Sequence, residues 1–112
     1  MDLHPDRCPV ELTVSVMGGK WKPTILYNLV DGPKRFNELR RLLPDVTQRM
    51  LTLQLRALED DGIVSRKDYG EVPPRVEYRM TDYGWTLGPI IEAMVVWGER
   101  HKARGPGDGE AA

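Results

Sequence analysis

Four side chains able to read the edge of a base pair fall close together: Gln48, Arg49, Thr52 and Arg56. In a major groove, arginine and glutamine can each make two hydrogen bonds to one base. If Leu51 is set at zero and each residue advances ~100° around a helix, Leu55 and Leu58 lie within about 40° of it. Thr52, Leu53, Arg49, Arg56 and Asp60 then point away, with Gln48 at the border. The outer face of a surface helix is polar in any case, so the set gains meaning only from its surroundings. Catalytic patterns are missing: there is no His-Glu-x-x-His, no phosphate-loop glycine pattern and no metal spacing among Cys8, His4 and His101. Both histidines sit near the chain ends with no catalytic partner. The expectation is a protein that is not an enzyme and uses no metal or cofactor.

The reading helix must be held by other elements. Thr47 is a plausible N-cap, and the helix runs to about Asp61, where Gly62 ends it. Before it, Phe36–Leu43 predicts a short helix with Phe36, Leu39 and Leu42 inward, broken by Pro44-Asp45. Trp21, Ile25, Leu26 and Leu29 mark a helix over Trp21–Val30, with Pro23 near its start and Gly32 after its end. Pro9–Met17 is ambiguous: Val10, Leu12, Val14 and Val16 alternate as in a strand, whereas Val10, Val14 and Met17 share a helical face. After Gly62 come two strand-like runs, Ile63–Tyr69 and Arg75–Met80, around a Gly70–Pro74 turn that no helix crosses. Thr81-Asp82 can cap a final helix, which Gly88-Pro89 should kink or split. Beyond it Ile90, Met94, Trp97 and His101 line one face, widened by Ile91, Val95 and Val96. The fold class expected is mainly α with a small β wing: a helix-turn-helix followed by a basic hairpin.

With 112 residues the chain suits one domain, placed at 8–104 between a flexible N-terminus (1–7) and a disordered Gly/Pro-rich tail (105–112). The longest apolar run, Ala93–Trp97, is far below the ~20 residues of a membrane span, so no membrane partner is expected. The first ten residues do not read as a signal peptide. One cysteine, Cys8, excludes an intrachain disulfide and suits a reducing cytoplasm, where a DNA-binding protein would associate with the nucleoid. The formal charge of −1 conceals a division. Residues 20–79 hold 12 basic and 9 acidic side chains, net +3, whereas 1–19 and 80–112 are each net −2. A basic centre between acidic ends suits a DNA face opposite another surface. Glu59-Asp60-Asp61 would repel phosphates, so the reading helix must enter DNA N-terminus first.

Several motifs occur in order: Cys8-Pro9, Gly18-Gly19-Lys20-Trp21, Arg35-Phe36-Asn37-Glu38-Leu39, Leu55 through Val64, Val72-Pro73-Pro74-Arg75-Val76-Glu77-Tyr78 and Met80-Thr81-Asp82-Tyr83-Gly84. Together, over about Cys8 to His101, they resemble the HxlR family of bacterial transcriptional regulators, relatives of the MarR group. The resemblance implies a winged helix-turn-helix homodimer on double-stranded operator DNA, built through its first and last helices. It makes Pro9–Met17 a helix, Phe36–Leu42 the positioning helix and Thr47–Asp61 the recognition helix. The base-reading set becomes Thr47, Gln48, Arg49, Thr52 and Arg56. Lys34, Arg35, Arg40, Arg41, Arg66, Lys67, Tyr69 and Arg75 become backbone and wing contacts, with Ile63–Met80 as the wing. Val10, Val14, Met17, Ile91, Met94, Val95 and Trp97 become the dimer interface.

Some members of the family sense oxidants or electrophiles through a cysteine at the position of Cys8. A thiol before a helix meets the positive end of the dipole, which favours thiolate, and Arg7 adds to this. A structural or incidental Cys8 is the alternative. With no second cysteine, the available switches are an adduct, a mixed disulfide or a Cys8–Cys8 link across a dimer. Tyr27, Trp21, Trp85 and Trp97 are candidates to line an effector pocket, or are plain core. The leading function is a sequence-specific dimeric regulator, a repressor relieved by an oxidant or a small molecule. The competing one is a winged-helix protein-interaction module without specific DNA binding.

Overall fold

Leu51, Leu55 and Leu58 recur at helical spacing and are fully buried, so the helix that carries them is the centre of the core. In the computed structural model, which describes residues 8–105, that helix is the fourth of five. The elements are α1 (Pro9–Met17), α2 (Lys22–Leu29), β1 (Lys34–Arg35), α3 (Phe36–Leu42), α4 (Gln48–Asp60), β2 (Val64–Asp68), β3 (Val76–Met80), a 3₁₀ turn (Gly84–Leu87) and α5 (Gly88–Arg104). The expected flexible ends, 1–7 and nearly all of 105–112, lie outside the described residues together with His4 and Arg7. Among the described residues, no helix is long and apolar enough to cross a membrane.

The core joins Ile25, Leu26 and Leu29 of α2, Leu39 of α3, the three leucines of α4, Val64 of β2 and Tyr78 and Met80 of β3. Removing such a leucine to alanine costs about 2–5 kcal/mol, because the lost transfer free energy adds to that of the cavity. Pro9–Met17, open by periodicity, is helical: Pro9 occupies the first turn, where no N–H is needed. The sheet is antiparallel in the order β1-β3-β2. β1 is an addition to the expected order. Lys34 pairs with Tyr78 and Arg35 with Glu77, giving the hairpin a third strand that runs directly into α3.

Two expectations need correction. Leu42 is exposed, and Leu43 takes its place in the core. The helix stops at Leu42, and φ −123°, ψ 73° at Leu43 swing that side chain inward. Met17 and Ile91, assigned to the dimer surface, are only 4% and 5% exposed and belong to the core of their own chain. Met17 lies at the end of α1 and Ile91 in the first turns of α5, where each helix meets the domain. The final helix is split, as Gly88-Pro89 predicted: a 3₁₀ turn precedes α5, and Pro89 falls in the first turn of α5.

A backbone junction organises the second half. Gly62 has φ +76° and closes α4: its N–H bonds the Glu59 carbonyl at 2.9 Å, and the Ile63 N–H bonds the Leu58 carbonyl at 2.9 Å. Ile63 and Leu58, both buried, form the apolar contact that accompanies this helix-ending motif. Thr81 answers from the far side of the hairpin. Its N–H bonds the Ile63 carbonyl at 3.0 Å, its hydroxyl donates to the Gly62 carbonyl at 2.5 Å, and the Gly84 N–H donates to that hydroxyl at 2.8 Å. Gly84 lies so close that a Cβ there would overlap the Ile63 carbonyl. Two alanine variants therefore separate two causes. Gly62→Ala meets only Tyr83 at 4.0 Å, so its cost is conformational, about 1–2 kcal/mol. Gly84→Ala forces the two backbones apart, at about 1–3 kcal/mol or more. Urea unfolding is expected to show both losses as shifts of the midpoint with an unchanged slope.

Candidate nucleic-acid interface

Thr47 sets the start of the reading helix. Its hydroxyl accepts the Met50 N–H at 3.0 Å, satisfying a donor that the helix leaves orphaned. Thr47 is thus engaged as a cap, which correspondingly limits it as a base reader. Gln48, Arg49 and Arg56 are exposed, whereas Thr52 is half-buried and its hydroxyl donates to the Gln48 carbonyl at 2.9 Å. Leu53, exposed directly opposite the core leucines, was left out of the sequence-derived set. Among base-edge groups it can complement only the methyl of thymine.

A groove of 570 Å³ runs between α3, α4 and the hairpin, and it brings together residues far apart in sequence. Gln48 and Thr52 line it from α4. Arg35 and Arg41 line it from the α3 side, and Arg66 and Arg75 from the hairpin. Against these four guanidiniums stands Glu38, whose carboxylate accepts the Arg35 N–H at 2.8 Å as a helix-start contact. Arg40 lies in an adjoining crevice with Asn37 and Pro44. Arg40 and Arg41 occupy the last turn of α3, where cations complement the helix dipole. Lys34 is half-buried on β1. Asn37, Glu38 and Tyr78 also line the groove and were not anticipated. Tyr78 is opposite Arg66 in the β2–β3 register. Burial pushes its phenol above the ordinary range, while a hydrogen bond from Arg66 opposes that shift, so Tyr78 presents a neutral hydroxyl.

The wing cations are internally engaged. Arg66 lies 3.9 Å from Asp68, Arg79 3.8 Å from Glu77 and Arg75 3.0 Å from Glu71. Lys67 Nζ sits 4.7 Å above the Tyr69 ring, and Arg75 Cζ 3.6 Å from the same centroid. Tyr69 donates to Glu77 at 2.9 Å. The carboxylates that hold the wing were not among the sequence-derived site residues. The Lys67–Glu77 register shows how a strand pairing supplies them.

A second surface lies on α1 and α5. Val10 is 68% and Trp97 64% exposed, and Val14, Ile90, Met94 and Val96 are exposed with them; Val95 is half-buried. Trp97 stacks on His101, with ring centroids 4.9 Å apart. A 210 Å³ apolar crevice between α2 and α5 is lined by Pro23, Thr24, Tyr27, Ile91, Met94 and Val95. It contains Tyr27 but none of the three tryptophans proposed beside it, so that aromatic set is not assembled there. Cys8 is exposed in the N-cap position of α1. The backbone N–H groups of Glu11 and, second, Val10 hold its thiol below the ordinary range.

Known proteins share this arrangement. The HTH-type transcriptional regulators YdeP and YybR of Bacillus subtilis (strain 168) are similar to this chain. YdeP is 59% identical over 88% of the chain and 77% of its own length, and YybR 55% identical over 90% and 82%. Among solved structures, the redox regulator HypR in its oxidised form superposes with a TM-score of 0.80 at 60% identity, covering 83% of this chain and 96% of that one. The reduced form of the B. subtilis transcriptional regulator YodB gives 0.74 at 35% identity over 89% and 99%. A family model described as HxlR-like helix-turn-helix matches residues 16–106. With a capped reading helix, a winged sheet and this match over most of its length, the chain belongs to the HxlR-like helix-turn-helix family of transcriptional regulators.

Proposed function

We propose that the protein is a dimeric repressor that binds a specific operator through α4 and neutralises flanking phosphates through α3 and the wing. The groove carries this reading: it sets Gln48 and Thr52 of α4 beside four guanidiniums from the α3 side and the hairpin, while Arg49 and Arg56 are exposed on α4 outside the groove lining. In such an interface, base contacts specify and phosphate contacts position. Arg49→Ala and Arg56→Ala are expected to weaken operator binding by about 1–3 kcal/mol and leave binding to unrelated DNA nearly unchanged. Arg40→Ala is expected to weaken binding to all sequences alike and to lower the salt slope by about 0.9. Gel shifts against the promoter of the protein's own neighbouring gene, over a salt series, check both. Equal affinity for every sequence in the parent protein would instead favour a protein-interaction module.

The dimer uses α1 and α5, which leave Val10, Val14, Ile90, Met94, Val96 and Trp97 exposed. Exposed apolar side chains in this number are a usual signature of an interface. Trp97→Glu is expected to shift the protein from dimer to monomer in sedimentation velocity and to weaken operator binding at least tenfold. Its far-ultraviolet circular dichroism should stay that of the parent, because Trp97 lies outside the core.

Cys8 supports a thiol-responsive switch, since an exposed thiol with a lowered pKa is more fully thiolate at neutral pH and reacts faster. The names of HypR as a redox regulator, solved in oxidised and reduced forms, support the same reading. Alkylation of Cys8 should rise with pH through a midpoint below that of a free thiol and then level off. Cys8→Ser is expected to bind operator like the parent and to stay bound under a thiol oxidant that releases the parent. Release of the Cys8→Ser protein by the same oxidant would end this assignment.

A further inference from the structure

The wing holds its best-placed cation against a carboxylate of its own. Arg75 Nη2 donates to Glu71 Oε2 at 3.0 Å, while the guanidinium carbon lies over the Tyr69 ring, 3.6 Å from its centroid. The ring is fixed on two sides. The Tyr69 hydroxyl donates to Glu77 at 2.9 Å, and its backbone N–H bonds the Arg75 carbonyl at 3.0 Å. Arg75 is therefore far less free than an ordinary surface arginine. It is also under-satisfied: a guanidinium carries five N–H donors, and Arg75 Nε is buried without an acceptor among the described residues. Glu71 is different. It sits on the Gly70–Pro74 turn with its side chain about half exposed, and it can swing away while the strands stay in place.

We propose that Glu71 is a latch on Arg75 that a DNA phosphate displaces, with Tyr69 as the positioning platform that keeps the guanidinium at the groove during the exchange. The proposal rests on the DNA-binding reading above. Carboxylate and phosphate oxygens fit the same planar fork of donors, so one replaces the other without moving the arginine. Arg75 lines the groove with Arg35, Arg41 and Arg66, so the incoming phosphate meets positive charge from the α3 side as well as from the hairpin. Glu71, once released, would otherwise face that phosphate with like charge. The latch thus weakens contact with all DNA equally and leaves discrimination to α4.

The test is a fluorescence-anisotropy salt titration of the full chain with an unrelated duplex, which needs no knowledge of the operator. Glu71→Gln is expected to bind about 2- to 5-fold more tightly, the scale of one exposed ion pair. Arg75→Gln is expected to bind more weakly, with a salt slope smaller by about 0.9. The gain from Glu71→Gln should vanish in an Arg75→Gln background. Tyr69→Leu should lose slope as Arg75→Gln does, while Tyr69→Phe, which keeps the ring, should not. Thermal melting of each variant confirms that the wing changes act on a folded protein. Weaker or unchanged binding by Glu71→Gln, an unchanged slope in Arg75→Gln, or a gain that persists without Arg75 would overturn the latch. A parent protein that binds no duplex in a salt-dependent way would instead overturn the DNA-binding reading itself.

Discussion

The junction around Ile63 is the constraint on which the rest of the fold depends. Its carbonyl receives the Thr81 N–H, its own N–H closes α4 on the Leu58 carbonyl, and its side chain is buried beside Leu58. At this one place the reading helix ends, the hairpin begins and returns, and the chain turns towards α5. The left-handed Gly62 and the close approach of Gly84 are what allow these backbones to meet. Because α4, the wing and α5 leave from a shared junction, their relative placement is a property of the backbone. A groove between α4 and the hairpin can then hold side chains from both in a fixed relation to one another.

Electrostatics divides labour within this frame. The ion pairs among the described residues all lie in the wing: Arg66 with Asp68, Arg75 with Glu71 and Arg79 with Glu77. Ion pairs that reach solvent on at least one side, as these do, contribute little to stability. Their effect is to lower the field of the wing while keeping its cations in place. Arg49 and Arg56 on α4 and Arg40 and Arg41 on α3 are exposed without such pairs among the described residues. Positive charge is therefore most available where α3 and α4 present it, whereas in the wing the arginines are held against carboxylates and only Lys67, over the Tyr69 ring, has none within ion-pair distance among the described residues.

Much of this was legible in the sequence because it is encoded locally. The Leu51, Leu55 and Leu58 period, the Thr47 cap, the Gly62 stop and the Pro73-Pro74 turn are each decided by a few neighbouring residues. What was not legible depends on pairing across the chain. β1 is two residues long, and its only mark is its bonding to Tyr78 and Glu77, more than forty positions away. Leu42 and Leu43 are equally apolar, and only the dihedral angles at the helix end decide which is buried. Met17 and Ile91 lie on apolar faces broad enough to serve both the domain core and an outer surface, and periodicity cannot divide such a face. The wing carboxylates were read as subtractions from net charge, whereas the register makes Glu77 and Glu71 specific partners.

The position of Cys8 bears on how a switch would reach the DNA. It stands at the start of α1 and is not among the residues that line the groove between α3, α4 and the hairpin. A chemical change at Cys8 therefore does not touch the groove directly. It does touch the helix that carries Val10 and Val14, the exposed apolar pair assigned to the dimer. Met17, at the other end of α1, is anchored in the core with Val16 packed beside it, so α1 is fixed at that end while Val10 and Val14 are exposed. On the dimeric, thiol-responsive reading proposed above, modification of the thiol would act by shifting this lever against the partner subunit, which changes the spacing of two reading heads without reshaping either. For a dimer that must match two half-sites at once, a change of spacing is enough to lose the operator, and it leaves each subunit's core and groove intact.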